Sequence, residues 1–316
     1  MSIKIKQREA TAIINSLNGG VVPKIGIQHI TVGRQKEINA MLQALVEVEN
    51  GHSIVKFWIG EFGSGKSFML HLLNTVAMKK KFVVSNADFT PEKRLYANDR
   101  KAVALYSTII DNLAISTKPD GGALEVLLEK WIEKTIMEIS DKTKISVMEL
   151  SQPENIHIVQ EEVLKIINGL GGVGAFNFGV VVMKYFEGYV NDDIVLRKNA
   201  IRWLKGEYTT KTEARQDLGV REIITDLNFY DMLKNFAAFF TSIGFAGFMI
   251  NLDEAINLYK ITQRQIREKN YEKILTIYND CFQGNTKHLF FNFAGTNDFL
   301  ENNNRGLFSY NALKTR

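Results

Sequence analysis

The spacing of apolar and polar positions divides the chain into two sheet-forming stretches with a long helical one between them. From Arg34, the residues Ile38, Met41, Leu42, Leu45 and Val48 recur at helical intervals, and Gly51-His52 closes that helix. Ile54 to Ile59 is a short apolar run bounded by turn residues, which predicts a buried strand. A glycine-rich turn occupies residues 60–65. A helix then carries Phe68, Met69, Leu72, Leu73 and Val76 to the basic stop Lys79-Lys80-Lys81, and Phe82 to Ala87 predicts a second strand. Strand, loop, helix and strand in this order open an α/β fold with a parallel sheet.

The period then changes. From Asp99 to Thr241 helical spacing dominates, as in Leu124, Leu127, Leu128, Trp131, Ile132 and Ile136, and again in Ile158, Val163, Ile166 and Ile167. The tract Gly169 to Gly179 reads as a loop or as a tight helix contact. Strand patterns return at Gly247–Leu252 and His288–Phe293, with a helix predicted from Gln263 to Phe282 between them. The expected organisation is therefore an irregular segment over 1–30, a first half of an α/β core over 31–98, a helical insertion over 99–241, and a second half of the core over 242–316. No internal repeat and no low-complexity tail interrupts it.

Composition narrows this only slightly. The 316 residues suffice for one large domain or two ordinary ones, and 45% hydrophobic with 23% charged residues is the usual globular range. No apolar run is long enough to span a bilayer, and the N-terminus lacks an apolar signal core, so no membrane association is expected. The single Cys281 excludes an intrachain disulfide, fits a reducing cytoplasm, and is expected as a packed helix residue. A net charge of +4 permits a nucleic-acid partner without arguing for one.

The strongest chemical signal lies in the glycine-rich turn. Gly60-Glu61-Phe62-Gly63-Ser64-Gly65-Lys66-Ser67 satisfies G-x-x-x-x-G-K-[ST] in full, between a predicted strand and a predicted helix. Glycines allow the backbone to curl so that successive N–H groups point at a phosphate chain. The following helix adds its positive dipole end. Lys66 is of a length to reach the β- and γ-phosphates of ATP, and the Ser67 hydroxyl is suited to Mg²⁺.

Such a site needs a carboxylate on a neighbouring strand. Phe248 to Leu252 runs into Asp253-Glu254, so Asp253 is the expected metal-site acid and Glu254 the expected base that orients water. The competing reading has the pair capping a helix from Ala255. Asp88, at the end of the second strand, is a weaker acid, because Thr90-Pro91-Glu92 after it resembles a helix start. Beyond the last strand, Thr296 or Asn297 could touch the γ-phosphate or the attacking water, or simply make a turn. Arg305 could neutralise charge on a neighbouring subunit's nucleotide if the chain is a homo-oligomer, or be a solvated surface residue; Arg264 and Arg267 compete with it.

The order Val-Gly-Arg, phosphate loop, Asp-Glu strand and Gly-Thr strand end resembles AAA+-type ATPases, most nearly their origin-recognition and STAND-like branches. That resemblance places Val32, Gly33 and Arg34 against the adenine. A narrower resemblance is carried by Gly60 to Phe68, Trp203-Leu204-Lys205-Gly206-Glu207-Tyr208, Lys211 to Arg215, Leu252-Asp253-Glu254, Asn257 to Lys260, Asn270-Tyr271-Glu272 and Arg305 to Tyr310. These stretches are similar to the BREX-system ATP-binding protein family of bacterial and archaeal phage-defence islands, from about residue 20 to the end. The resemblance implies a defence role with partner proteins encoded nearby, possible action on DNA, and ATP and ADP as ligands.

Two departures qualify it. The chain stops soon after the last strand, where such ATPases continue into a fifth strand and a helical lid, so the expectation is either a cut chain with slow turnover or a lost lid. The stretch between the phosphate loop and the acidic strand is also far longer than a minimal core needs, and a surface for a partner or nucleic acid is expected there. Within it, the basic run Lys205 to Arg221 alternates with acids and reads as a solvated or salt-bridged face. Two functions remain: a motor or switch ATPase, or a nucleotide-dependent binding module with little turnover.

Overall fold

A computed structural model describes residues 5–19, 23, 26, 29–31, 33–150, 152–155, 157–159, 161 and 174–315. Four strands form one sheet: β1 Ile54–Ile59, β2 Phe82–Asp88, β3 Gly247–Asp253 and β4 Leu289–Gly295. All pairings are parallel and the order is β1-β4-β3-β2. The chain therefore leaves β1 for the far edge at β2, then returns inward through β3 and β4. Among the described residues ten longer helices accompany it: α1 Gln7–Asn18, α2 Gln35–Glu49, α3 Lys66–Lys79, α4 Lys101–Asp111, α5 Leu124–Thr143, α6 Ala175–Val190, α7 Ile194–Leu204, α8 Lys211–Leu218, α9 Phe229–Ser242 and α10 Arg264–Phe282.

Burial on both faces is what the near-continuous apolar strands demand. Alternation sends Val84, Met249 and Phe290 to the face covered by α2 and α3, where Met41, Leu45, Val48, Leu72 and Leu73 meet them. Val83, Phe248, Ile250, Phe291 and Phe293 point to the other face, into a larger cluster with Leu105, Ile109, Phe236 and Phe240 of α4 and α9. Phe240 meets Phe248 edge-on, with ring centroids 5.1 Å apart. Burying one such side chain contributes about 1.5–3 kcal/mol, so strands and helices of the two predicted core halves and of the long helical stretch share one apolar interior.

The first face also carries a polar row. Asn86, Asn251 and Asn292 are register partners across β2, β3 and β4. Trp58 Nε1 donates to Asn292 Oδ1 at 2.9 Å, Asn292 Nδ2 to Asn251 Oδ1 at 2.9 Å, and Asn251 Nδ2 to Asn74 Oδ1 of α3 at 2.6 Å and Asn86 Oδ1 at 2.9 Å. Asn74 Nδ2 closes the set on Asn86 Oδ1 at 2.8 Å. Buried amides hydrogen-bonded in this manner fix register, because a slipped strand would leave them unpaired.

Three expectations are corrected. The first thirty residues are not irregular throughout, because Gln7–Asn18 is helical and buries Ile13. No helix starts at Thr90. Its hydroxyl accepts from the N–H groups of Glu92 and Lys93, and Thr90 and Lys93 exchange backbone bonds, which closes a turn instead. The Asp253-Glu254 pair does not cap the short helix Ile256–Tyr259, whose N-terminal residue Ala255 makes no side-chain cap. The run from Lys205 to Arg221 is part salt-bridged and part exposed: Lys205 meets Asp111 at 2.8 Å and Glu213 meets Arg202 at 2.9 Å, while Lys211, Arg215 and Arg221 are exposed with no ion pair among the described residues. Ile158 lies in a described helical turn, whereas Val163, Ile166, Ile167 and residues 169–173 lie outside the described residues; from Gly174 onward the chain enters α6.

Candidate functional site

The turn from β1 to α3 lies at the C-terminal end of the sheet, where parallel α/β folds open their crevices. Gly63 (φ +77°) and Gly65 (φ +88°) take left-handed conformations that strain any other residue. At Gly60 a Cβ would come within 2.7 Å of Ser64 Oγ, so a side chain there would push the Ser64 hydroxyl aside. The N–H of Gly60 donates to Gly295 O at 3.3 Å, tying the turn to the end of β4. No side chain caps α3, whose N-terminal residue is Gly65, so its first N–H groups face outward.

Lys66 folds its ammonium back onto the carbonyls of Gly60 and Glu61, at 2.8 and 2.9 Å, and stands 5.9 Å from the centre of the exposed Phe62 ring. Ser67 Oγ donates to Asp253 Oδ2 at 2.8 Å. The other oxygen, Asp253 Oδ1, accepts from the N–H of Glu254 at 2.7 Å, which orients the carboxylate. Glu254 follows with φ +56°, a turn out of β3 that only a surrounding structure sustains in a non-glycine residue. The N–H of Ala255 donates to Ala294 O at 2.9 Å and anchors that turn to β4.

From the end of β4, Thr296 is 7% exposed and its hydroxyl oxygen is buried without a hydrogen-bond partner among the described residues. Asn297 Nδ2 reaches across to Glu61 Oε1 at 3.1 Å. Phe62, Gly63, Gly65, Lys66, Ser67, Phe68, Asp253, Glu254 and Thr296 line one cavity of about 410 Å³, with Ile256 and Ala294 as apolar walls. On their other side, Ser67 and Asp253 border a second cavity of about 400 Å³, with His71, Asn86 and Asp88. Asp88 pairs in register with Asp253, and burial together with that neighbouring carboxylate raises its proton affinity above the ordinary aspartate value.

The remaining predicted residues separate. Arg34 Nη2 donates to Ser64 O at 3.0 Å and its Nη1 pairs with Glu37, so this arginine braces the phosphate loop. Gly33 is exposed beside it, and Val32 lies outside the described residues. Arg305, expected as a flexible or solvated surface residue, is a correction. Its Nη2 donates to the carbonyls of Tyr259 and Ile261 at 3.2 Å each, and its guanidinium lies over the Tyr259 ring at 5.3 Å. Arg267 is buried and donates to Ile261 O at 2.7 Å, and Arg264 is held by Glu268. These three arginines do not line the cavity.

The model of the family described as BREX system ATP-binding protein BrxC/D matches residues 5–316. The chain belongs to that family. No curated protein and no solved structure matches it. Family membership accounts for a nucleotide ligand in general terms, and the phosphate-loop cavity is where the chain gathers the groups that suit one. Sequence reasoning missed the amide row and the Arg34 brace. Polar Asn86, Asn251 and Asn292 inside otherwise apolar strands were the available signal. No helix among the described residues is long and apolar enough to cross a membrane.

Proposed function

We propose that the chain binds ATP with Mg²⁺ at the phosphate loop and hydrolyses it as an AAA+-like P-loop ATPase, serving as a motor or switch in a BREX phage-defence complex. The observation that carries this reading is the 2.8 Å contact between Ser67 and Asp253, which brings together residues from α3 and the end of β3 beside Lys66. A hydroxyl and a carboxylate are hard oxygen donors of the kind Mg²⁺ takes together with phosphate oxygens and water. Among the described residues no group of three His, Cys, Asp or Glu could hold a metal alone, so a shared site with the nucleotide's phosphates suits the donors present. Mg²⁺ bound there would neutralise phosphate charge.

The chain's own groups divide the remaining work. Glycine N–H groups and the α3 N-terminus cradle the phosphates, and Lys66 swings from the Gly60 and Glu61 carbonyls to the terminal ones. Glu254 orients water and receives its proton. The Thr296 hydroxyl, buried without a partner among the described residues, is the group that would turn to the terminal phosphate or that water. Phe68 on the cavity wall and Arg34 on Ser64 O are the candidates to meet the base.

Calorimetric titration with ATP, with and without Mg²⁺, tests binding, and steady-state phosphate release tests turnover. Lys66→Ala is expected to remove binding, and Glu254→Gln to retain binding while losing turnover by two to four powers of ten, roughly the share of a positioned base. Wild-type turnover no faster than that of Glu254→Gln, with or without DNA, would rule out the motor and leave a binding module.

A further inference from the structure

The segments that follow β2 and the Ile256–Tyr259 turn enclose a cavity of about 450 Å³ that shares no lining residue with the phosphate-loop cavity. Arg94 and Lys101 line it from the first segment and Lys260 from the second. None of the three has an ion pair or a side-chain hydrogen bond among the described residues, and Arg94 Nε is buried with no partner at all. Some cations elsewhere are paired with acids, as in Lys205 with Asp111, Lys234 with Asp231 and Lys184 with Glu187, whereas these three share one cavity wall. Asp99 is the one carboxylate on the cavity wall, and among the described residues no cation lies within ion-pair distance of it. Three mutually repelling charges against one acid leave the cavity electropositive, a field that attracts and focuses an anion. Thr262 and Gln263 add neutral hydrogen-bonding groups on the same wall.

A second cavity of about 550 Å³ adjoins it through the shared residues Asn98, Gln263 and Ile266. Tyr96 and Tyr310 line this one, and both are partly exposed. Its acids are already neutralised, Glu268 by Arg264 at 2.7 Å and Glu272 by Lys269 at 2.8 Å. A cationic compartment opening into an aromatic one is the arrangement that takes a single nucleic-acid strand, with phosphates along the charges and bases stacked on the rings.

We propose that this double cavity binds a single nucleic-acid strand, with a backbone phosphate among Arg94, Lys101 and Lys260 and a neighbouring base on Tyr96 or Tyr310. The probe is a fluorescent oligothymidylate of about 20 nucleotides, long enough to exceed one such site, read by anisotropy. Each phosphate contact to a single strand adds about 0.7 to the slope of log affinity against log salt. The double variant Lys101→Ala, Lys260→Ala should therefore lose about 25-fold in affinity at about 0.1 M salt, with the slope falling by about 1.4. Tyr310→Ala should lose about fivefold or more with the slope unchanged. Lys184→Ala, which sits on α6, should bind as wild type does, and ATP binding and the melting temperature of the double variant should not move.

Wild-type protein that fails to bind the oligonucleotide overturns the proposal. So does a double variant that binds it with wild-type affinity and slope, or a loss seen with Lys66→Ala and not with the double variant. Calorimetric binding of inorganic phosphate that depends on Lys101 and Lys260, without oligonucleotide binding, would make this a free-phosphate site and overturn the strand assignment.

Discussion

Asn251→Ala cuts the amide row at its centre. The Asn251 side chain is 1% exposed and takes part in three side-chain hydrogen bonds, two donated to Asn74 and Asn86 and one accepted from Asn292. Asn86 Oδ1 keeps its second donor, Asn74 Nδ2, and is not stranded. Asn74 Oδ1 and Asn292 Nδ2 are left without partners in residues only 6% and 0% exposed. Each stranded buried group costs about 1–3 kcal/mol, so the pair sets a loss of about 4 kcal/mol, near the upper end for one substitution. Asn86→Ala strands only Asn74 Nδ2, because Asn251 Nδ2 retains Asn74 Oδ1, and should lose about 2 kcal/mol on the same scale. Urea unfolding followed by tryptophan fluorescence reads both, as a lower midpoint with an unchanged slope. Equal losses in the two variants, or a loss below about 1 kcal/mol for Asn251→Ala, would refute the account of a connected row.

Thr296→Val removes a buried hydroxyl that has no partner, a group whose burial costs about 1–3 kcal/mol. The melting temperature should hold or rise while ATP turnover falls; a lower melting temperature would mean the hydroxyl is already bonded. Asp88 binds its proton more tightly in the folded chain than at its ordinary value of 3.8, because of burial and the nearby Asp253. Its folded state is thus stabilised by protonation, and stability is lost as pH rises from 3.8 through the raised value. Asp88→Asn should be more stable than wild type at about pH 7 and equal to it at about pH 3, as measured by denaturant midpoints at the two values. Burial pushes the Cys281 thiol up to about 11, so a thiol reagent at about pH 8 should label it only after unfolding.

Much of the fold was legible because the four strands are short apolar runs with glycine or charged boundaries, and each strand appears within two residues of its expected ends. The glycine-rich turn between β1 and α3 was legible for a stronger reason, since its residue types and spacing leave few backbone paths. Asp253 was legible only as the acid after such a run; its approach to Ser67 is a consequence of strand order, which local periodicity does not encode. Thr90 misled because a hydroxyl can cap a helix or close a turn by accepting from the same two N–H groups, and the choice lies with residues after Lys93. Arg305 misled because a guanidinium in a polar loop looks solvated until Tyr259 and the carbonyl of Ile261 come to meet it through tertiary packing.

The side chains of the glycine-rich turn and its neighbours hold one another. Lys66 rests on two carbonyls, Ser67 on Asp253, Arg34 on Ser64 and Asn297 on Glu61. A nucleotide entering there would replace these side-chain bonds while also engaging the uncapped N–H groups of α3, so part of its affinity would be a difference between two sums rather than the total of its contacts. Ligand-induced gains in melting temperature should accordingly be small for so many phosphate contacts. A loop furnished with its own substitutes can release what it holds without leaving the Lys66 charge bare.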